Sequence, residues 1–424
     1  MGRSRRYFGV VAAAAAVVTV TSACHSSANA GGGGGSGSPG GGSGQALKIG
    51  YILPQTGQLA QEGLGAPQIA GVKYAIKVIN DAGGVNGQQI PNPPGADETD
   101  DASKANVNVQ NVLNDNIDAL IGAAASGQTL AIIDKVVQSQ VVECSGSNTA
   151  PTLTDYKDNG FYFRTAPSDA LQGPVLGNLV VQSGFKRIVV AARADDYGRG
   201  LQDATVAAIK QAGGTVVDTP TYDTAATDFS SLVTKIQNDK PDAVVLISFG
   251  EAAQILKGLV EAGLGPDKIG IFGADGERSE ELPSQVDPSN PKVLDGMMGT
   301  APSSADNKKF IADLKGFDPS LKTEQYAAQV YDCTITVALA AEEAKSSDPT
   351  QIKEHMIDVT KDGTPCTTYS DCKKLIDDGK NIDYNGASGP LNFDSHGEPA
   401  SSTIEVWSFK NGKLVTLRTV TSHV

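Results

Sequence analysis

The chain reads as an α/β protein of two lobes, each a doubly wound parallel sheet. Three features predict this class. Short apolar strands with little polar alternation recur, each followed by a helical repeat of ten or more residues, the pattern of βαβ units whose sheet is covered on both faces. The units are too numerous for one sheet of ordinary size. Their run breaks near "FYFRTAPSD" (161–169), which splits them into two series.

The elements follow in order. "ALKIGYIL" (46–53) is an apolar strand. Ile69, Val72, Ile76 and Ile79 then recur at helical spacing, and the glycines of "NDAGG" stop that helix. "DALIGAAA" precedes a helix at 128–139, and "VVEC" follows it. In the second series "RIVVAARAD" precedes a helix at 200–212, "TVVDTPTYD" one at 229–238, and "DAVVLISFG" one at 251–262, with "IGIFGAD" after it. Long helices are expected at about 324–345 and 350–359. A β-rich tail closes the chain, with Asn411-Gly412 as a hairpin turn.

Residues 1–45 stand apart from this pattern. Arg3, Arg5 and Arg6 begin the chain, "VVAAAAAVVTV" is too short and too weakly apolar to span a bilayer, and small residues precede Cys24. This is the layout of an export signal over 1–23, left out of the fold. "TSAC" resembles a bacterial lipobox, with Thr21 where an aliphatic residue is usual, and implies that Cys24 is the lipidated first residue of the mature chain. "SRRYF" resembles a twin-arginine motif, so the general and twin-arginine export routes are both open. Residues 24–45 are a Gly/Ser-rich tether, a flexible coil spanning ~25 Å. The body is therefore expected outside the cell membrane, moored to its outer face by the lipid on Cys24.

Charge and cysteine usage narrow the function. The formal charge is −14, and loss of the three early arginines takes it to −17. Such a body does not suit nucleic acid or an anionic lipid surface. Besides Cys24 there are four cysteines, and an even count in an exported chain suggests disulfides. Cys366 and Cys372 enclose the short loop "TTYSD" and make one pair; Cys144 and Cys333 follow by elimination. No metal is expected, because no CxxC exists and the four histidines are scattered. No cofactor is expected either.

Ligands of open α/β sheets bind beyond the carboxyl ends of the strands. Those ends carry Gln55 and Thr56, then Ser126, then Ser147, Asn148 and Thr149, and in the second series Tyr197, Phe249 and Asp275. Hydroxyls beside helix starts suit a carboxylate, and an acid facing them suits an ammonium group. Together they describe a clamp for a small zwitterion, with its side chain against Tyr197 and Phe249. Each residue also has a plainer use: the hydroxyls as caps or turn formers, Phe249 and Tyr197 as packing, Asp275 as a cap. A tethered hydrolase is the rival from another class. A nucleophile elbow needs GxSxG, and "AASGQ" and "GASGP" each lack one glycine.

The segments "IGYILPQTGQLA", "VINDAGGVNGQQI", "FYFRTAPSD", "DDYGRGL", "TDFSSLVTKIQNDKPDAVVL" and "IDYNGASGPLNFDSHGEP" resemble type I periplasmic binding proteins, in particular the leucine/isoleucine/valine-binding receptors of ABC transporters. The resemblance runs from about residue 46 to the end. It implies two lobes joined by three crossovers and closing like a hinge, here with lobe one as 46–166 plus 303–392 and lobe two as 167–302 plus 393–424. It implies that Ser126 and Ser147–Thr149 hold an amino acid's carboxylate and amine, that Tyr197 packs on the ligand, and that Asp275 takes the ammonium where the branched-chain binders carry Glu. Phe249 stands where they have tyrosine. The implied protein is no enzyme. It is a monomer that delivers a branched-chain or related amino acid to an ABC permease; a sensor of the same fold for an amide, urea-like or aromatic acid ligand is the alternative. Two departures are visible: the shorter Asp275, and the proline-rich "IPNPPGADETDDAS" in place of a plain second strand.

Overall fold

The computed structural model describes residues 45–303 and 307–423. The expected export signal, Cys24 and all of the tether except Gln45 lie outside the described residues. Two main sheets form the body. The first holds β1 (Ile49–Leu53), β2 (Gly95–Asp97), β3 (Ala119–Gly122), β4 (Val142–Ser145) and β5 (Tyr162–Arg164), in the order β2-β1-β3-β4-β5 and wholly parallel.

The second holds β6 (Arg187–Arg193), β7 (Thr215–Asp218), β8 (Thr221–Tyr222), β9 (Ala243–Ile247), β10 (Gly270–Gly273) and β11 (Met298–Pro302). A small sheet of β12 (Thr364–Cys366), β13 (Ile382–Gly386) and β14 (Gly389–Pro390) follows. The chain ends in β15 (Ser401–Lys410) and β16 (Lys413–His423), an antiparallel hairpin added to the second sheet beside β11. Asn411 and Gly412, both at positive φ, make its turn as expected.

Burial explains why the central strands lack polar alternation. In β1, Tyr51 and Leu53 join the core shared with the helix Gly65–Asp81, while Ile52 packs on the opposite side with Val109 and Val136. In β6, Val190 and Ala192 face Leu176 and Leu201, and Val189 and Ala191 face Ile236 and Ile255. Each strand is thus buried on both faces, which only continuous apolar sequence can satisfy. The proline-rich departure contains β2, a three-residue edge strand; the prolines precede it, where no ladder donor is needed.

The chain passes between the sheets three times: after β5, after β11, and before β15. Arg164 at the end of β5 is fully buried and donates through Nε to Glu398 at 2.7 Å, which joins the first and third crossings. Phe393 stacks on Phe163 with centroids 6.4 Å apart. The segment 393–398 therefore packs on the first lobe, although the family resemblance implies a second lobe that resumes at 393. The small sheet β12–β14 is also unexpected, because its strands are too short for a hydrophobic period.

Both expected disulfides are present. Cys144–Cys333 ties β4 to the helix Ala327–Ala344, and Cys366–Cys372 ties β12 to the helix Tyr369–Asp377. The first spans 189 residues, so its constraint on the unfolded chain is the larger, ~2–4 kcal/mol for a typical bridge. Among the described residues no helix is long and apolar enough to cross a membrane.

Candidate functional site

A narrow cavity lies where the two lobes meet, about 350 Å³ of empty space counted out to its open mouth. Its first-lobe wall comes from Leu59, Leu64, Gln68, Ala124, Ala125, Ser126, Ser147 and Thr149, and Tyr326 closes it from the start of the helix Ala327–Ala344. Its second-lobe wall comes from Tyr197, Phe249, Asp275 and Gly276. The structure thus gathers six sequence-predicted residues, Ser126, Ser147, Thr149, Tyr197, Phe249 and Asp275, around one space.

Each wall is set by a strand end. Ser126 opens the helix Ser126–Gln138, and its Oγ accepts the N–H groups of Thr149 at 3.3 Å and Ala150 at 3.2 Å, which draws the loops after β3 and β4 together. Ser147 Oγ donates to Gln68 Oε1 at 3.0 Å. In the second lobe Asp275 follows β10 and is buried. Its Oδ1 accepts from Gln172 Nε2 at 2.9 Å and the Tyr197 hydroxyl at 3.0 Å, and its Oδ2 from the Tyr326 hydroxyl at 2.7 Å. Burial raises the Asp275 pKa above the usual carboxylate range against the pull of these donors. Asp169, fully buried near it, is also held well above that range, by burial and then by the facing Asp275 charge. Gly276 permits the tight turn: a Cβ there would stand 2.0 Å from the Ser248 carbonyl oxygen. Tyr197 and Phe249 stack on each other, centroids 5.1 Å apart and 12° from parallel.

Three predicted residues do not reach the cavity. Gln55 and Thr56 bond instead to Asp97, their N–H groups at 2.9 and 3.2 Å and the Thr56 hydroxyl at 2.5 Å, so the end of β1 is pinned to the end of β2. Asn148 is fully buried behind the wall: its Nδ2 donates to the carbonyls of Ala123 and Ala124, and its Oδ1 accepts from Tyr162. Strand-end position alone does not say which of three consecutive residues turns inward. Cys24 lies outside the described residues. Among the described residues no cluster of His, Cys, Asp or Glu could hold a metal.

The model of the periplasmic binding protein family matches residues 46–400, most of the chain and both walls of the cavity. The chain belongs to that family. Relatives of this periplasmic binding protein include Leu/Ile/Val-binding protein homolog 1 of Brucella melitensis biotype 1, 30% identical over 319 residues that cover 73% of this chain and 81% of that one. The leucine-, isoleucine-, valine-, threonine- and alanine-binding protein of Pseudomonas aeruginosa is 28% identical over 325 residues, covering 74% and 82%.

Two solved structures show the shared fold of type I periplasmic binding proteins. The branched-chain amino acid binding protein LivJ of Streptococcus pneumoniae, in complex with isoleucine, superposes with a TM-score of 0.72 at 24% identity, covering 90% of this chain and all of that one. A solute-binding protein of Rhodopseudomonas palustris, in complex with 3,4-dihydroxybenzoic acid, gives 0.71 at 18%, covering 89% and 98%.

The residues of this periplasmic binding protein that its strand ends do not reveal include Leu59, Leu64, Gln68 and Tyr326 on the cavity and Gln172 behind Asp275, which come from helices or helix starts. Tyr326 had one available signal, its place at the start of a long helix just after the second crossing.

Two buried glutamates brace the walls. Glu98 accepts the N–H groups of Ala124 at 2.5 Å and Ala125 at 3.1 Å; Glu277 accepts that of Ala274 at 2.7 Å and the Ser248 hydroxyl. Burial, outweighing these donors, pushes each from 4.5 up to about 8. Folded-state pKa values raised in this way mean that the native state holds protons the unfolded chain releases. Their contribution to stability is thus fully present below about pH 4.5 and is lost as pH rises towards about 8. The slope is at most about 1.4 kcal/mol per pH unit for each group. Urea midpoints measured from pH 5 to 8 are expected to fall with pH, and to fall less steeply in Glu98→Gln. A slope unchanged by that substitution would contradict the assignment.

Proposed function

We propose that this binding protein takes a small zwitterionic solute, a branched-chain or related amino acid, between its lobes. The observation that carries the reading is the placement of Asp275. Among the described residues it is the one carboxylate that lines the cavity, no lysine, arginine or histidine lines it, and the facing wall offers a helix start with Ser126, Ser147 and Thr149. A ligand bearing only a carboxylate would set its charge against Asp275 without a cation between them. An ammonium group supplies that cation, and the opposite wall suits the carboxylate. Leu59, Leu64 and the Tyr197–Phe249 stack supply an apolar surface for a short aliphatic side chain. Burial of both ligand charges is tolerable only because each end is paired. A ligand held by both lobes would favour the closed form to the extent that it binds that form more tightly than the open one.

The names of the relatives support this reading, and the aromatic-acid complex of the Rhodopseudomonas protein defines its competitor. Calorimetric titration of the purified protein with L-isoleucine, L-leucine, L-valine and 3,4-dihydroxybenzoate separates them. Binding of the amino acids is expected; heat from 3,4-dihydroxybenzoate alone would overturn the reading. The wider role we propose is a monomeric receptor, exported, lipid-anchored through Cys24 and delivering its solute to an ABC permease. Recovery of a Cys24→Ser chain in the membrane fraction would contradict the anchor.

A further inference from the structure

Outside the cavity, a group of polar contacts that spans the cleft centres on Arg193. It ends β6 in the second lobe, and its side chain is nearly fully buried. Nε donates to Asp195 Oδ2 at 2.5 Å, and Nη1 to Glu251 Oε1 at 3.1 Å, itself held by the Tyr222 hydroxyl at 2.9 Å. The guanidinium carbon stands 3.7 Å from the centroid of Phe249. The Phe249 ring also stacks on Tyr197, whose hydroxyl donates to Asp275.

Nη1 also reaches the other lobe, donating to Gln58 Oε1 at 3.2 Å. Gln58 returns a bond from Nε2 to the Thr224 carbonyl of the second lobe, also at 3.2 Å. The approach is close: a Cβ on Gly250 would lie 3.1 Å from Glu62 Oε1 and 3.6 Å from the Gln58 carbonyl oxygen. Gln58 is outside the cavity lining, and Arg193 is too.

We propose that Arg193 is a positioning residue for the cavity. Braced by Asp195 and Glu251, it fixes the Phe249–Tyr197 wall from behind, and through Gln58 it latches that wall to the opposite lobe. Setting the aromatic wall and closing the lobes become one event. Arginine suits this work and lysine does not, because only a planar fork can lie over a ring while donating sideways to several acceptors. The inference rests on the solute-binding reading only for what the wall touches; the latch is a property of the protein alone.

The test measures lobe separation directly. Spin labels at Val107→Cys in the first lobe and Lys240→Cys in the second, in a Cys24→Ser chain, report open and closed populations with and without L-isoleucine. Gln58→Ala is expected to lower the closed-to-open ratio about tenfold, as loss of a hydrogen bond to a charged group would. It is expected to raise the L-isoleucine off-rate by a similar factor with little change in on-rate. Arg193→Lys is expected to do the same, although it keeps the charge. An unchanged ratio in both variants, or no closed population in the parent under either condition, overturns the latch. A ratio that responds in a protein that ignores L-isoleucine upholds the latch and sinks the amino-acid reading instead.

Discussion

Asp275→Ala is expected to reduce L-isoleucine affinity by ~3–5 kcal/mol, a hundredfold to more than a thousandfold in Kd. The ligand's ammonium would be buried without a counter-charge, which is the costly way to break an ion pair. The substitution would also strand the Tyr197 and Tyr326 hydroxyls and the Gln172 amide, which all donate to this carboxylate. Asp275→Asn separates the two effects. It keeps an oxygen acceptor in place and removes the charge, so affinity should still collapse while the melting temperature stays close to the parent's. The pH dependence has a definite sign. Burial raises the unliganded Asp275 pKa, and only the ionised form pairs with ammonium, so affinity should fall as pH is lowered through that raised value. Calorimetric titration from pH 5 to 8 measures all three. Parent-like affinity in Asp275→Asn would show that the ammonium, if the ligand has one, sits elsewhere.

The second large effect is expected at the crossings between lobes. Glu398→Ala should destabilise the fold by ~3–5 kcal/mol, because it leaves the fully buried Arg164 guanidinium without its carboxylate. Glu398 also accepts from the Thr154 hydroxyl at 3.0 Å, so that group is released too. Removing both charges together is a different matter. Arg164→Met with Glu398→Leu should recover most of the loss, since an apolar pair of similar volume avoids the desolvation of two ions. Urea unfolding of the two variants measures the difference. Equal destabilisation in single and double variants would mean that the pair's shape, and not its charge balance, holds the crossings.

Much of this architecture was legible in the residues. The apolar runs that became β1, β3, β6 and β9 are buried on both faces, and burial of that kind leaves a continuous signature. The hairpin turn at Asn411-Gly412 needed only two residues that accept positive φ. Elements with weaker local signals were not legible. β5 is three residues long and reads only as a break, and β12 and β14 are shorter than any hydrophobic period can resolve.

The candidate site divides in the same way. The strand-end rule pointed to Ser126, Ser147, Thr149, Tyr197, Phe249 and Asp275, which line the cavity. It failed for Gln55 and Thr56, whose donors go to Asp97, and for Asn148, whose amide holds two backbone carbonyls. It had no means of finding Tyr326, Gln172 or Arg193. Each acts through a partner between 51 and 135 positions away, and no local pattern encodes such a distance.

The sequence by itself determined the two main series of βαβ strands, their succession along the chain, the closing hairpin and the pool of side chains at the strands' carboxyl ends, because short-range periodicity and turn chemistry specify these locally. The tertiary structure decided which members of that pool face one another, which acid stands alone in the cavity, and how Arg193 and Gln58 meet across the cleft. Those outcomes depend on the crossing geometry of two lobes, a long-range property that emerges only when the whole chain has packed.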